Sequence, residues 1–161
     1  MIVAIYPGSF DPITNGHIDI ITRVAGLFEK IVIGVFKTPH KHLLFTMEER
    51  VELVRRAVAE FSNVEVQPFH GLTVDFAKLV GAKVMVRGLR MSADFEREFE
   101  MAMMNKKLVP GLELVCLMAS QDYQFLSSSL LKEVAGLQGN INGLVPEYVA
   151  KAIKRKAIST M

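Results

Sequence analysis

Apolar residues follow two rhythms along this chain. Five short runs are nearly continuous and rich in β-branched residues: Ile2–Tyr6, Ile31–Phe36, Val64–Gln67, Lys83–Val86 and Leu112–Met118. Such runs predict strands buried on both faces of a parallel sheet. Between them the period lengthens to that of a helix. After Asn15, the residues Ile18, Ile21, Val24 and Phe28 share one helical face. Thr46 with Glu49 has capping-box spacing, and Val51, Val54, Val58 and Phe61 supply the apolar face behind it. Thr73–Val80 predicts a short third helix. Ser92 is expected to cap a fourth, with Asp94 and Glu96 in its first turn and Phe95, Phe99 and Met103 on its buried side. A fifth begins near Ser127–Ser129, and Pro146 suits the first turn of a sixth.

Five βα units with short connections predict right-handed crossovers and an α/β fold: a Rossmann-like, doubly wound, five-stranded parallel sheet with flanking helices. No repeat, low-complexity tract or linker interrupts the pattern, so residues 1–161 read as a single domain. In such sheets ligands bind beyond the carboxyl ends of the strands, near the switch point of the strand order. The loops after strands one, two, four and five are therefore expected to carry the chemistry.

Charge sharpens this expectation. The net charge is +2, from 19 basic and 17 acidic residues, too small an excess to imply nonspecific binding to nucleic acid or to a membrane surface. Cations that meet an anionic ligand must then be concentrated locally. Lys151, Lys154, Arg155 and Lys156 read as a solvated helix face. The one cysteine, Cys116, lies in an apolar run and reads as a small core side chain, and Met101, Met103 and Met104 read as core packing. A lone cysteine suits a reducing compartment. The N-terminal apolar run stops at Pro7-Gly8, too short for a signal-peptide core or a bilayer span. The expectation is a soluble, cytoplasmic protein.

The loop after strand one, Tyr6-Pro7-Gly8-Ser9-Phe10-Asp11-Pro12-Ile13-Thr14-Asn15-Gly16-His17, lacks both the dinucleotide fingerprint and the P-loop spacing. Hydride transfer and Walker-type ATP hydrolysis are disfavoured accordingly. It offers instead a hydroxyl at Ser9 and Gly16-His17 in the first turn of a helix, where backbone N–H groups attract phosphate. Gly16 allows close approach, and His17 can donate to a phosphoryl oxygen. A purely structural turn is the alternative. Lys37, His40, Lys41 and His42 cluster after strand two, as a solvated basic loop or an anion site; no cysteine or carboxylate cluster accompanies the histidines to suggest zinc. Arg87-Gly88-Leu89-Arg90 follows strand four and suits a bidentate grip on phosphates, or surface ion pairs with Glu96, Glu98 or Glu100. Ser127-Ser128-Ser129 could cap a helix or hold a terminal phosphate. Convergence of these loops on one crevice favours a polyphosphate ligand.

The combination Gly8-Ser9-Phe10-Asp11-Pro12-x-Thr14-x-Gly16-His17, Phe45-Thr46-x-Glu48-Glu49-Arg50, Val86-Arg87-Gly88-Leu89-Arg90, Asp94-Phe95-Glu96 and Ser127-Ser128-Ser129-Leu130-x-Lys132-Glu133 resembles the phosphopantetheine adenylyltransferases of the HxGH nucleotidyltransferase superfamily. Thr14 stands at that motif's first histidine position. The resemblance implies reversible adenylyl transfer from ATP to 4'-phosphopantetheine with Mg²⁺, giving dephospho-coenzyme A and pyrophosphate. It further implies a homohexamer and feedback by coenzyme A. By motif, Ser9, Lys41, Thr73 and Arg87 match acceptor-contacting positions. Ser9, Phe10, His17, Gly88, Leu89, Arg90, Glu98, Tyr123, Gln124, Phe125, Leu126, Ser127, Ser128 and Ser129 match the ATP site, and no residue matches a metal ligand. Ser9 stands where relatives often have threonine, and Tyr123 where they often have tryptophan. The acceptor phosphate is already a nucleophile, so positioning and charge stabilisation suffice without a covalent enzyme intermediate. His17, Lys41 and Arg90 are the residues expected to stabilise the transition state. The competing readings are another member of the superfamily, such as a nicotinate-mononucleotide adenylyltransferase or a glycerol-phosphate cytidylyltransferase, and a noncatalytic nucleotide-binding regulator.

Overall fold

The computed structural model describes residues 2–37 and 43–159. Five strands, β1 (Val3–Gly8), β2 (Lys30–Phe36), β3 (Val64–Phe69), β4 (Val84–Leu89) and β5 (Glu113–Met118), form one parallel sheet in the order β3-β2-β1-β4-β5. The helices are α1 (Asn15–Ala25), α2 (Met47–Ala57), α3 (Thr73–Leu79), α4 (Ser92–Leu108), α5 (Ser128–Gly136) and α6 (Glu147–Ser159). The doubly wound parallel sheet expected from the alternating periods is the architecture found.

The sequence order first moves outward, β1 to β2 to β3, then returns past β1 to β4 and β5, so β1 is central and the switch point lies between β1 and β4. Apolar side chains of α1, α2, α5 and α6 close over one face of the sheet, against Ala4, Tyr6, Ile31, Ile33, Val35 and Val86. Val74, Phe76 and Ala77 of α3 cover the other, against Ile5, Val32 and Met85. Gly34 on β2 is required there: a Cβ would lie 2.7 Å from Phe76 and 2.9 Å from Phe69. Those two rings stack with centroids 4.4 Å apart.

Pairing around β1 is uneven. Its register with β2 runs from Val3 opposite Lys30 to Gly8 opposite Val35, whereas with β4 it holds only at Ala4 and Ile5. Beyond Ile5 the two strands part. Pro7, which has no N–H to offer a ladder, lies in the parted stretch, and its carbonyl accepts from Arg87 Nη1 at 2.8 Å.

The local signals mostly hold. Thr46 and Glu49 form the full capping box, with Oγ1 accepting from Glu49 N at 3.2 Å and Oε2 accepting from Thr46 N at 2.8 Å. Several expectations are corrected. The edge strands β3 and β5 are only partly buried, with Phe69 and Leu117 the one buried residue in each. Cys116 is consequently exposed on β5. Phe28 and Phe61 lie past the ends of α1 and α2, though both pack against the core. Ser92 is the first residue of α4 and makes no cap; Met91 holds the N-cap position, and the Asp94 carboxylate turns back to accept from Arg90 N at 3.0 Å. Pro146 precedes α6 by one residue, and its carbonyl accepts from Val149 N and Ala150 N. Lys156 is more than a solvated charge, pairing with Glu49 at 2.7 Å.

The largest correction concerns α4. Phe95, Phe99 and Met103 are 56%, 57% and 60% exposed, and no residue of the helix is buried. Met101 and Met104 are exposed as well, so none of the three methionines is core. The apolar face exists as the period predicts, but no described residue of the chain buries it.

Candidate active site

Where β1 and β4 part, two cavities meet. One, about 330 Å³, lies on the α1 and α5 side and is lined by Tyr6, Phe10, Thr14, Gly16, His17 and Ile20, by Gly88 and Arg90, and by Ala119, Tyr123 and Leu126–Ser128. The other, about 370 Å³, lies on the α3 and α4 side, between Phe36, Phe69, Thr73, Met85, Arg97, Glu98, Met101 and Asn105. Pro7, Gly8, Ser9 and Arg87 line both. The loops after β1, β4 and β5 converge there and build two adjoining chambers with a common corner, while residues 38–42 of the loop after β2 lie outside the described residues.

His17 stands in the first turn of α1 under tight local control. Its Nδ1 accepts the Thr14 N–H at 3.0 Å and lies 3.1 Å from Thr14 Oγ1, closing a capping box at the start of the helix. With Nδ1 engaged as acceptor, the ring proton sits on Nε2. Desolvation, followed by the charges of Arg90 and Arg87, lowers its pKa from 6.5 to about 4. His17 is thus a neutral N–H donor at neutral pH. Phe10 packs edge-on against it, centroids 5.0 Å apart, and against Tyr6 at 5.6 Å. Phe10 takes a positive φ of 47°, a conformation unusual for an aromatic residue, held by burial on all sides. Burial pushes the Tyr6 hydroxyl up to about 12, against the opposing charges of Arg87 and Arg90, so it is protonated.

The two arginines after β4 are held differently. Arg87 donates through Nε and Nη2 to Glu98 Oε1 at 2.8 and 2.7 Å. Arg90 donates to the Asp94 carboxylate and, through Nη1, to the Leu126 carbonyl at 3.1 Å. The ion-pair reading of the Arg-Gly-Leu-Arg segment holds for Arg87 with Glu98, while Arg90 pairs with Asp94 instead of the glutamates expected; both arginines line a cavity and are pinned by carboxylates of α4. Ser127 Oγ caps α5 by accepting from Leu130 N, and Ser128 Oγ donates to the Pro12 carbonyl.

The remaining expected residues divide. Ser9, Phe10, His17, Gly88, Arg90, Tyr123, Leu126, Ser127 and Ser128 line the first cavity, and Ser9, Thr73 and Arg87 the second. Glu98 lines the second cavity rather than the first. Leu89 is buried, whereas Gln124, Phe125 and Ser129 are exposed and line neither. Gly16 faces protein as well as open space, since a Cβ there would meet Tyr123 Cβ at 3.4 Å. Lys41 lies outside the described residues. Tyr6, Ile20 and Ala119 are lining residues that sequence reasoning missed; apolar positions in buried elements give no such signal. Among the described residues no group of three or more His, Cys, Asp or Glu could hold a metal ion. The guanidinium groups of Arg87 and Arg90 that line the cavities do not fit a cation.

Residues 5–134 match the cytidylyltransferase-like family. Relatives named phosphopantetheine adenylyltransferase extend over nearly the whole chain. That of Carboxydothermus hydrogenoformans is 51% identical over 97% of this chain and 96% of its own. That of Alkaliphilus metalliredigens is 49% identical over 98% and 100%, and that of Clostridium tetani 50% identical over 98% of each. A crystal structure from Vibrio parahaemolyticus, described as a nicotinate-nucleotide adenylyltransferase, superposes with a TM-score of 0.73 over 98% of this chain and 95% of its own. At 15% identity that likeness shows the shared fold.

Proposed function

From the premise that the chain belongs to the phosphopantetheine adenylyltransferases, a family of nucleotidyltransferases, we propose that it transfers the adenylyl group of ATP to 4'-phosphopantetheine in the biosynthesis of coenzyme A. The observation that carries the reading is the corner of Pro7, Gly8, Ser9 and Arg87 shared by the two cavities. An enzyme joining two anions needs two chambers that touch where the phosphates react.

ATP takes the cavity of His17, Arg90 and Ser127, and the acceptor takes that of Thr73 and Arg87. An acceptor phosphate oxygen attacks the α-phosphorus, forming the new P–O bond as the bond to the β-phosphate bridge breaks and pyrophosphate leaves with the electron pair. No general base is needed, because the acceptor oxygen is already anionic. His17 Nε2–H donates to a phosphoryl oxygen as charge develops, and Arg90, with Lys41 by its place after β2, offsets the charge moving onto pyrophosphate. Arg87 and Ser9 orient the acceptor phosphate. The α4 face of Phe95, Phe99 and Met103 supports self-association into the hexamer that the family resemblance implies, and coenzyme A, sharing the acceptor's pantetheine arm, is read as a feedback ligand. No described helix is long and apolar enough to cross a membrane, which accords with an enzyme working in the cytoplasm.

The test is pyrophosphate release from ATP with 4'-phosphopantetheine, beside nicotinate mononucleotide and, with ATP or CTP, glycerol 3-phosphate. Release with phosphopantetheine alone, together with dephospho-coenzyme A, is the expected result. Turnover confined to another acceptor would overturn the named substrate, and silence from every acceptor would overturn the enzymatic reading.

A further inference from the structure

The largest side chain that is essentially inaccessible belongs to an arginine. Arg50 of α2 is 1% exposed, and its Nη1 donates to the Ser9 carbonyl at 2.6 Å and to the Phe36 carbonyl at 2.9 Å. Among the described residues no carboxylate forms an ion pair with it, and its Nε has no hydrogen-bond partner. Burial draws its pKa down, with Asp11 and Glu48 acting in the opposite direction. A buried charge without a salt-bridge partner is an expensive way to satisfy two carbonyls. Water would serve if only hydrogen bonding were required.

The location of those carbonyls is the informative part. The β1–β2 register ends at Gly8 opposite Val35, and the next rung would pair Ser9 with Phe36. Nη1 occupies that rung. It ends the ladder while fixing both strand ends to one atom. Ser9 lines both cavities and Phe36 lines the second. A neighbouring buried group acts on the same loop: Asp11 accepts from Leu44 N and Phe45 N, each at 2.9 Å, and pairs with Lys132 at 2.6 Å. The loop after β1 is thereby secured on both sides of Phe10.

We propose that Arg50 is a positioning residue for adenylyl transfer, setting where Ser9 stands at the corner shared by the two chambers. This rests on the functional reading above. Arg50 touches neither cavity and acts through the Ser9 and Phe36 backbone. Its loss should misalign the two bound reactants more than it weakens either one. Displacements of about 1 Å cost on the order of 10²-fold in rate where alignment is limiting.

The experiment compares R50M and R50K with the parent enzyme, each checked for folding by thermal denaturation. In R50M, kcat should fall by about 10–100-fold while KM for ATP and for 4'-phosphopantetheine stays within about threefold. R50K, which retains a cation and several donors, should keep at least about a third of kcat. Hydrogen exchange, read on peptides covering residues 6–12 and 33–37, should accelerate in R50M with or without substrates. A folded R50M with kcat within threefold of the parent would overturn the proposal, as would a loss confined to KM or unchanged exchange in those peptides. If R50M does not fold, Arg50→Gln, which keeps one amide donor, takes its place with the same criteria. A parent enzyme inactive on phosphopantetheine would sink the functional reading, while the exchange measurement would still decide whether Arg50 fixes the strand ends.

Discussion

Arg87 and Glu98 are joined by two hydrogen bonds to a single oxygen, Nε and Nη2 both donating to Oε1, while the remaining Nη1 is spent on the Pro7 carbonyl. Arg87, which the proposed function assigns to the acceptor phosphate, is therefore held in orientation by the protein's own groups. Arg87→Ala should raise KM for 4'-phosphopantetheine by about 100-fold, the scale of a lost charge-assisted hydrogen-bond pair. Glu98→Ala leaves the cation but frees its fork, and should raise the same KM by about tenfold. Initial-rate measurements with ATP held saturating distinguish the two effects from a loss of nucleotide binding.

His17 should act as a neutral donor throughout the physiological range. His17→Ala is expected to lower kcat by about 10²–10³-fold in a folded protein, the scale of deleting one well-placed donor. Steady-state rates over pH 6–9 should show no step from this histidine in the parent enzyme.

The same residue couples folding to acid. Its pKa is about 4 in the folded chain against 6.5 when unperturbed. Above pH 6.5 both states hold it neutral and it contributes no pH dependence. As pH falls below 6.5 the unfolded chain takes up the proton first, so stability is lost down to about pH 4 and then levels. The loss is at most about 3 kcal/mol, lessened by the solvent that reaches the ring. Urea unfolding at pH 7 and pH 4.5, parent against His17→Gln, should show a smaller drop in the variant.

Lys132→Met should destabilise the fold by about 3 kcal/mol, because Asp11 is only 3% exposed and would lose its ion-pair partner while retaining two backbone donors. Thr46→Ala, which removes the capping hydroxyl from α2, should cost about 1 kcal/mol. Equilibrium denaturation gives both values, and a Lys132→Met cost no larger than that of Thr46→Ala would contradict the ranking.

Phe99→Glu on α4 should dissociate the proposed hexamer with little effect on the melting of the separated chain, because the ring is 57% exposed within one chain. Sedimentation velocity on parent and variant measures it. A parent that sediments as a monomer would count against the assembly itself.

Strands and the caps of α2 and α5 are legible in the sequence because their causes are local. β-branched runs mark β1 to β5, and Thr46 with Glu49 marks the start of α2. The arginine-bearing loop after β4 is legible too, since a parallel sheet fixes where its strand ends gather. What escapes is relational. Phe95, Phe99 and Met103 announce an apolar face, but periodicity is silent about whether the same chain covers it. Arg50 is invisible for the opposite reason: a charged residue in an amphipathic helix reads as solvated, and only the fold turns it inward to two carbonyls. Arg87 and Glu98 show the middle case, where an ion pair and a ligand site are weighed as rivals although a paired arginine still lines both cavities.

The parting of β1 from β4 after Ile5 has a kinetic meaning. The chambers share the corner of Pro7, Gly8, Ser9 and Arg87, so on the proposed reading neither reactant must cross the other's berth to reach the reacting position. On the proposed reading, ATP and the acceptor can load in either order, and dephospho-coenzyme A, with a portion in each chamber, spans the gap as it forms. On that reading, the gap between two strands sets the traffic of the enzyme.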